Sequence, residues 1–598
     1  MIRNIRLAAA GLALAGAFAL NPLSAAMKPG TYLNGQWGSV DGGGRGATLT
    51  YIPDPAGGGD LFALLFSYNE ATGDNTWLIL QAAFLENQFQ STGEVFITEG
   101  GSFSNPPVSP SQTAIGTFEV TLNSCGENGN AGVVYDIDFD NGSGFPDATY
   151  ALENLTARNT PANETPNCIY KEEFTGCPAF ATGEFAAGRS CFVSGQILDD
   201  EITLTNEITW VLDGLLEIGA PGTNPSTLNI EPGTTIVSDP ATINNAYIFV
   251  HAGSKIFADG KPYAPIVMTS AFDGFDAADP APEPGDFGGL VVAGFSTCNT
   301  APDQQLGCFS EFATADQVLP YGGTDPTDDS GSMSYMQIRY GGIPVGVDQE
   351  VNTFTFLAVG NKTRAHHLQA YNGLDDGFEM FGGTVNLYNI VATDGADDYL
   401  DWDEGYDGLI QFALISINDQ LGGQSGIEAS NSGTNFDNLP RATPIISNFT
   451  IVRNVDESER GFRIKDGTGG QFWNSVVTGF NTCVSIEDMA TINAAPDNTA
   501  IAGNIFDCAT NFGGDDPAFT SNFVAGFPGN VEADPNLDPD TFRPLPGSPA
   551  LGNGIQVIDL DSGEPNPFFK AVPYSGAFGG QGDNWLEGWT FDPFGVER

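Results

Sequence analysis

Short apolar runs alternate with glycine- and asparagine-rich turns along most of the chain, and few segments carry the 3.6-residue spacing of an amphipathic helix. The pattern predicts an all-β protein. Between residues 31 and 157 the runs are ATLTYI (47–52), LFALLF (61–66), TWLIL (76–80), GEVFI (93–97) and GTFEVTL (116–122). Strands at this spacing predict an antiparallel sandwich or barrel, so residues 27–157 form one small antiparallel β domain. Trp37 and Trp77 are expected in its core. Residues 158–191, rich in Asn, Thr and Pro, read as a linker stapled by disulfides.

From residue 192 onward the chain repeats itself. Residues 368–376 (LQAYNGLDD) align with 390–398 (IVATDGADD) at an offset of 22. The same offset sets Phe378 with Leu400, Glu379 with Asp401, Met380 with Trp402 and Gly383 with Gly405, and a third rung is expected to start at Phe412. Asn448, Asn474 and Asn504 open later rungs at spacings of 26 and 30, as an asparagine ladder at a coil corner would. A β repeat of this length is one coil of a right-handed parallel β-helix; helical repeats of the tetratricopeptide or ankyrin type are longer and need a helical apolar period. Residues 192–598 are therefore read as this β-helix with a C-terminal cap, in which Trp585, Trp589 and Phe591 close the open end.

The segments LNIEPGTTI (228–236), PIVMTS (265–270), FGGLVV (287–292), DDGFEMFGGTV (375–385), DDYLDWDEG (397–405), YSGAF (574–578) and NWLEGWT (584–590) together resemble a widespread group of exported bacterial β-helix proteins, many of them labelled lipoproteins. That resemblance implies the fold and an exported location, and little about activity. The N-terminal domain, with Gly35-Gln36-Trp37 and the stretch from Tyr68 to Trp77, resembles a small GxW-type β module of exported bacterial proteins.

Residues 1–26 fit an export signal: Arg3 and Arg6, an apolar stretch over 7–20, and small residues before Met27. The stretch is too short to span a bilayer, and no cysteine follows it for lipid attachment. The expected location is outside the cytoplasm: extracellular, at the cell surface or in the periplasm. The eight cysteines fit disulfides in that setting, with Cys177–Cys191, Cys298–Cys308, Cys483–Cys508 and Cys125–Cys168 as the expected pairs. The formal net charge of −55 argues against nucleic acid and anionic lipid as partners.

Stacked coils lie ~4.8 Å apart. The 22-residue register therefore places Asp375 over Asp397, Asp376 over Asp398 and Glu379 over Asp401, with Asp403, Glu404 and Glu428 extending the cluster. No Lys or Arg lies between Arg364 and Arg441. A hard divalent cation answers such a column, because Ca²⁺ takes six to eight oxygen ligands. A solvated acidic face, or carboxyls that stay protonated or cap backbone amides, are the alternatives.

Polysaccharide lyases of this shape need a cation and a basic residue, for which Arg339, Arg364, His366, His367, Arg463 and Lys465 are the candidates. The two adjacent histidines are expected on opposite faces of a strand, and Arg463 and Lys465 on one face, paired with the acids. A glycosidase needs two carboxylates about 5–9.5 Å apart, which an acidic column offers too freely to be specific. No Ser-His-Asp order, nucleophile elbow, phosphate loop or zinc signature is present. The sequence thus points to a non-catalytic Ca²⁺-binding surface or matrix protein, with a surface polysaccharide or other glycan, or further copies of itself, as partner. The alternative is a Ca²⁺-dependent polysaccharide lyase or glycoside hydrolase.

Overall fold

The computed structural model describes mainly the strands within residues 26–171 and most of residues 176–595, short loops excepted. The N-terminal domain is a closed antiparallel barrel of eight strands: Gly35–Ser39, Gly46–Pro53, Gly59–Tyr68, Asn75–Phe84, Gln90–Glu99, Ser111–Leu122, Val133–Phe139 and Ala148–Asn154. The last strand closes on the first through Trp37 and Asn154. Alternation along each strand fills the interior with residues such as Trp37, Leu61, Leu65, Leu80, Val120 and Tyr135, so the barrel is a packed core. Trp77 is not part of it. Leu78 and Leu80 take the inward positions, which turns Trp77 out to 54% exposure against the edge of Phe66.

The larger body is a parallel β-helix. Its strands follow each other in a single 27-stranded sheet; Gly183–Glu184 pairs antiparallel with Ser190–Ile197, and the others pair in parallel with strands of the next coil. Successive coils stack like residues inward: Phe354 lies on Phe378 with ring centroids 4.9 Å apart and planes at 6°. Phe356, Met380, Trp402, Ala429, Ile464 and Ile486 form the next inner column, all essentially inaccessible. Each such buried Phe, Met or Ile side chain contributes about 1.5–3 kcal/mol, and the column exists because apolar residues recur at the coil period.

One corner of the coils is built from left-handed residues. Tyr335, His367, Asn389, Phe412, Asn448 and Asn474 have φ of 50°, 55°, 57°, 61°, 64° and 49° and follow one another along the axis. Asparagine tolerates this region better than other side-chain-bearing residues. Two details of the expected register shift here. Phe412 occupies the corner, so Ile390 pairs with Ala413, 23 residues on rather than 22. Asn504 falls one position past the corner, where its Oδ1 accepts the Ser475 N–H at 2.7 Å; Gly503 takes the place over Asn474. Left-handed His367 also brings its Nδ1 to 2.9 Å from that of His366, so the two rings do not face opposite sides.

The ends of the helix are closed by other means than expected. Near the N-terminal end, Phe180 stacks on Trp210 at 5.5 Å. At the C-terminal end the α-helix Pro517–Ala525, N-capped by Asp516, packs Phe519 and Phe523 against the core. The C-terminal aromatics cap nothing. The tail runs back along one side of the coils, where Gln337, Gln369, Ser416 and Asn418 donate to the carbonyls of Trp589, Phe591, Pro593 and Phe594. Beneath it, Val391, Leu414 and Val452 pack with Ala577, Phe578, Leu586 and Trp589. An apolar outer face of the coils, rather than an open end, is what this segment buries.

Three disulfides join Cys177 to Cys191, Cys298 to Cys308 and Cys483 to Cys508, with Cα atoms 5.7, 6.7 and 5.5 Å apart. Cys125 and Cys168 lie outside the described residues.

Candidate metal centre

The strands Phe354–Leu357, Phe378–Phe381, Asp401–Asp403, Ser425–Ala429 and Arg460–Ile464 stack in parallel on one side of the helix. Their register sets Thr355 beside Glu379, Glu379 beside Asp401, Asp401 beside Glu428 and Glu428 beside Arg463. Met380, Trp402, Ala429 and Ile464 point inward, so strand alternation directs the charged column outward. At the adjoining corner each aspartate reaches one coil ahead. Asp376 accepts the Asp398 N–H at 2.9 Å, and Asp398 accepts the Ser425 N–H.

Three sets of carboxylates result, each with one oxygen per residue within 4.8 Å of the others: Asp375, Asp376 and Asp397; Asp376, Glu379 and Asp401; Asp398, Asp401 and Glu428. Two oxygens bound to one Ca²⁺ lie no more than about 5 Å apart, so all three sets fit. The polar atoms around them are under-used. Asp397 Oδ1, Asp401 Oδ1, Thr355 Oγ1 and Ser425 Oγ are buried and have no hydrogen-bond partner. Buried polar groups without a partner are rare in folded proteins. Of these, Asp397 and Asp401 belong to the carboxylate sets and Thr355 lies beside Glu379.

Burial sets the electrostatics. It pushes the Asp376, Asp398 and Asp401 carboxyls far above the usual range, with carboxylate neighbours adding to the shift. Asp375 rises to about 7 through burial and then Asp397, and Asp397 to about 6 through burial and then Glu428. Glu428 goes the other way. Its own burial is outweighed by Lys465 and Arg463, which hold it below the usual range while Asp398 beside it is raised.

The charge that the sequence between Arg364 and Arg441 lacks arrives from the following coil. Arg463 reaches Glu428 Oε2 at 2.6 Å and Glu487 at 3.1 Å; Lys465 reaches Glu428 Oε1 at 2.7 Å and Asp466 at 3.0 Å. Arg463→Ala strands Glu428 and Glu487 with less counter-charge. Because Arg463 is partly exposed, the expected loss is about 1–3 kcal/mol, below the cost for a fully buried pair. A drop in urea midpoint at unchanged m-value would register it.

Asp403 and Glu404 do not join these sets. Asp403 accepts the Glu404 N–H at 2.6 Å, and burial raises it to about 6. Glu404, at φ 53°, turns to the Tyr321 hydroxyl, and burial raises it to about 7. Its other acceptor-rich neighbours, Cys298 and Cys308, are a disulfide and not ligands. Asn352, which donates to Glu379, and Thr355 are the participants that sequence did not disclose. They share no motif with the later coils; only the stacking of Phe354 on Phe378 reveals their register.

The other candidate bases are engaged elsewhere. Arg339 lies 3.7 Å over the Phe591 ring and pairs with Asp273 at 2.9 Å. His367 stacks on Tyr335 at 4.4 Å and meets Trp589 edge-on, and burial lowers its pKa to about 3. Arg364 is the exposed one, at 72%, with Asp259 3.7 Å away.

A model of the pectate-lyase-like β-helix domain matches residues 195–519, more than half of the chain. The chain belongs to the pectate-lyase-like β-helix family. The match contains every residue of the acidic column and its basic neighbours. Among solved structures, this family member is similar to the catalytic domain of a GH87 α-1,3-glucanase in complex with tetrasaccharides. The identity is 9% and the TM-score 0.18, over 86% of this chain and 99% of that one. Overlap that low carries no argument about function. No curated protein matches. Among the described residues no helix is long and apolar enough to cross a membrane.

Proposed function

We propose that this chain is an exported, calcium-binding β-helix protein of the cell surface or extracellular matrix, non-catalytic, which engages glycans or further copies of itself. The observation that carries the reading is the buried, oxygen-only set of Asp376, Glu379 and Asp401, in which Asp401 Oδ1 and the Thr355 hydroxyl beside Glu379 lack hydrogen-bond partners. Residues 1–26 support export, and the net charge of −55 supports a setting rich in cations. The absence of catalysis is supported by how the basic residues are used. Arg463 and Lys465, the bases nearest the column, are held by Glu428, Glu487 and Asp466. Asp376, Glu379 and Asp401 would hold the ion, which would supply the positive charge that lets them ionise together.

Isothermal titration of the chelator-stripped chain should show calcium binding that Asp401→Asn weakens at least tenfold. Binding unchanged by Asp401→Asn, or no binding, would sink the reading. Family membership favours a second one, a calcium-dependent polysaccharide lyase or glycoside hydrolase. A panel of acidic and neutral glycans, assayed for new reducing ends and for unsaturated products, separates the two. Turnover that Arg463→Ala and Lys465→Ala abolish would establish the second.

A further inference from the structure

Resting on the calcium reading, we infer that the Lys465 ammonium occupies the role of a second cation, filling from within the chain a metal site that the coil carrying Glu428 would otherwise present. Two of the acidic sets are near copies of each other one coil apart. Asp376, Glu379 and Asp401 make the first; Asp398, Asp401 and Glu428 make the second, with Asp401 shared. Each offers one aspartate from the corner and two carboxylates from the outward column. Chemistry and spacing therefore give both sets the same claim on a divalent ion.

Their surroundings differ. The first set adjoins the Thr355 hydroxyl, which is fully buried and without a hydrogen-bond partner. The charges that weigh most on Asp376 are all carboxylates. An unpartnered hydroxyl oxygen beside three carboxyl groups, with Asn352 donating to Glu379, is what a calcium ion would find there. At the second set both oxygens of Glu428 are already taken, one by Lys465 Nζ at 2.7 Å and the other by Arg463 at 2.6 Å. Lys465 arrives because Arg460–Ile464 stacks on Ser425–Ala429, its own N–H reaching the Ala429 carbonyl at 2.9 Å. The period-two alternation of the strand sends Lys465 to the same outer side as Arg463. A single charge on a flexible stem, held by Glu428 and Asp466, leaves no room for a hydrated divalent ion and repels one.

The coil repeat thus generates equivalent acidic sets, and basic residues on a later coil decide which of them stays open to metal. The upper set is the calcium site; the lower one is internally neutralised.

Calcium stoichiometry on the full chain tests this, by equilibrium dialysis against the bare ion. Lys465→Met, which keeps the length of the stem and removes the charge, is expected to bind one more calcium per chain than the unmodified protein. Lys465→Arg is expected to match the unmodified protein, and Glu379→Gln to bind one fewer. An equal count for Lys465→Met and the unmodified protein, with both showing a cooperative urea transition, overturns the inference and leaves the calcium reading standing. No calcium on any of the four chains overturns both. Should Lys465→Met fail to fold, Lys465→Gln carries the same expectation.

Discussion

Stripped of divalent ions, the protein is expected to melt on the order of 5–10 °C lower at pH 8 than at pH 5, and saturating calcium to remove that difference. Asp375 and Asp397 hold their protons up to about pH 7 and 6, because burial disfavours the charged form, and burial with carboxylate neighbours raises Asp376, Asp398 and Asp401 well above the usual carboxylate range. In the unfolded chain the same groups release them near pH 4. The folded state therefore binds more protons across this window. The stability these groups contribute is complete below about pH 4 and is lost as pH rises, through about 6 for Asp397 and 7 for Asp375. Each group still protonated steepens the fall by about 1.4 kcal/mol per pH unit. Calcium binds the ionised form and expels those protons, so its stabilisation grows with pH, and a hundredfold excess over Kd is worth about 2.7 kcal/mol. Calorimetric scans at pH 5, 6.5 and 8, with chelator and with calcium, give the answer. A metal-free melting point that rises with pH, or a calcium shift no larger at pH 8 than at pH 5, contradicts the account.

Removing residues 533–598 is expected to abolish cooperative folding, although every strand of the acidic column remains. The tail covers Val391, Leu414, Val452, Val476 and Ile505, which would become an exposed apolar face along several coils. Its backbone is also the acceptor for Gln337, Gln369, Ser416 and Asn418, which would lose those bonds. The milder Trp589→Ala removes a side chain that is 1% exposed and should cost about 3–5 kcal/mol. Binding of a hydrophobic dye and the urea midpoint measure the two changes. A truncated chain that melts as the full one does would show that the tail is an ornament.

The coil period was legible because glycine and the Asp-Asp pair recur together: both mark the same corner, where Asp376 and Asp398 each cap the next coil. The pairing of Arg463 and Lys465 with the acids was legible from alternation alone. Other features were not. Phe412 looks like a strand residue, yet it takes the left-handed corner and adds one residue to the register. Glu404 follows Asp403 in sequence but is turned to Tyr321 by its own positive φ. The path of the tail has no period to read. It is fixed by side-chain amides bonding to carbonyls such as that of Trp589, 252 residues from Gln337.

The helix Pro517–Ala525 and the stacking of Phe180 on Trp210 have a consequence for assembly. A solenoid whose terminal coils are stoppered cannot lengthen by adding one molecule to the rim of another. Any supramolecular order must therefore grow sideways. Flanks this rich in carboxylate would repel each other unless a shared ion lies between them, so sheets or bundles that dissolve in chelator, rather than fibrils, are the form such order would take.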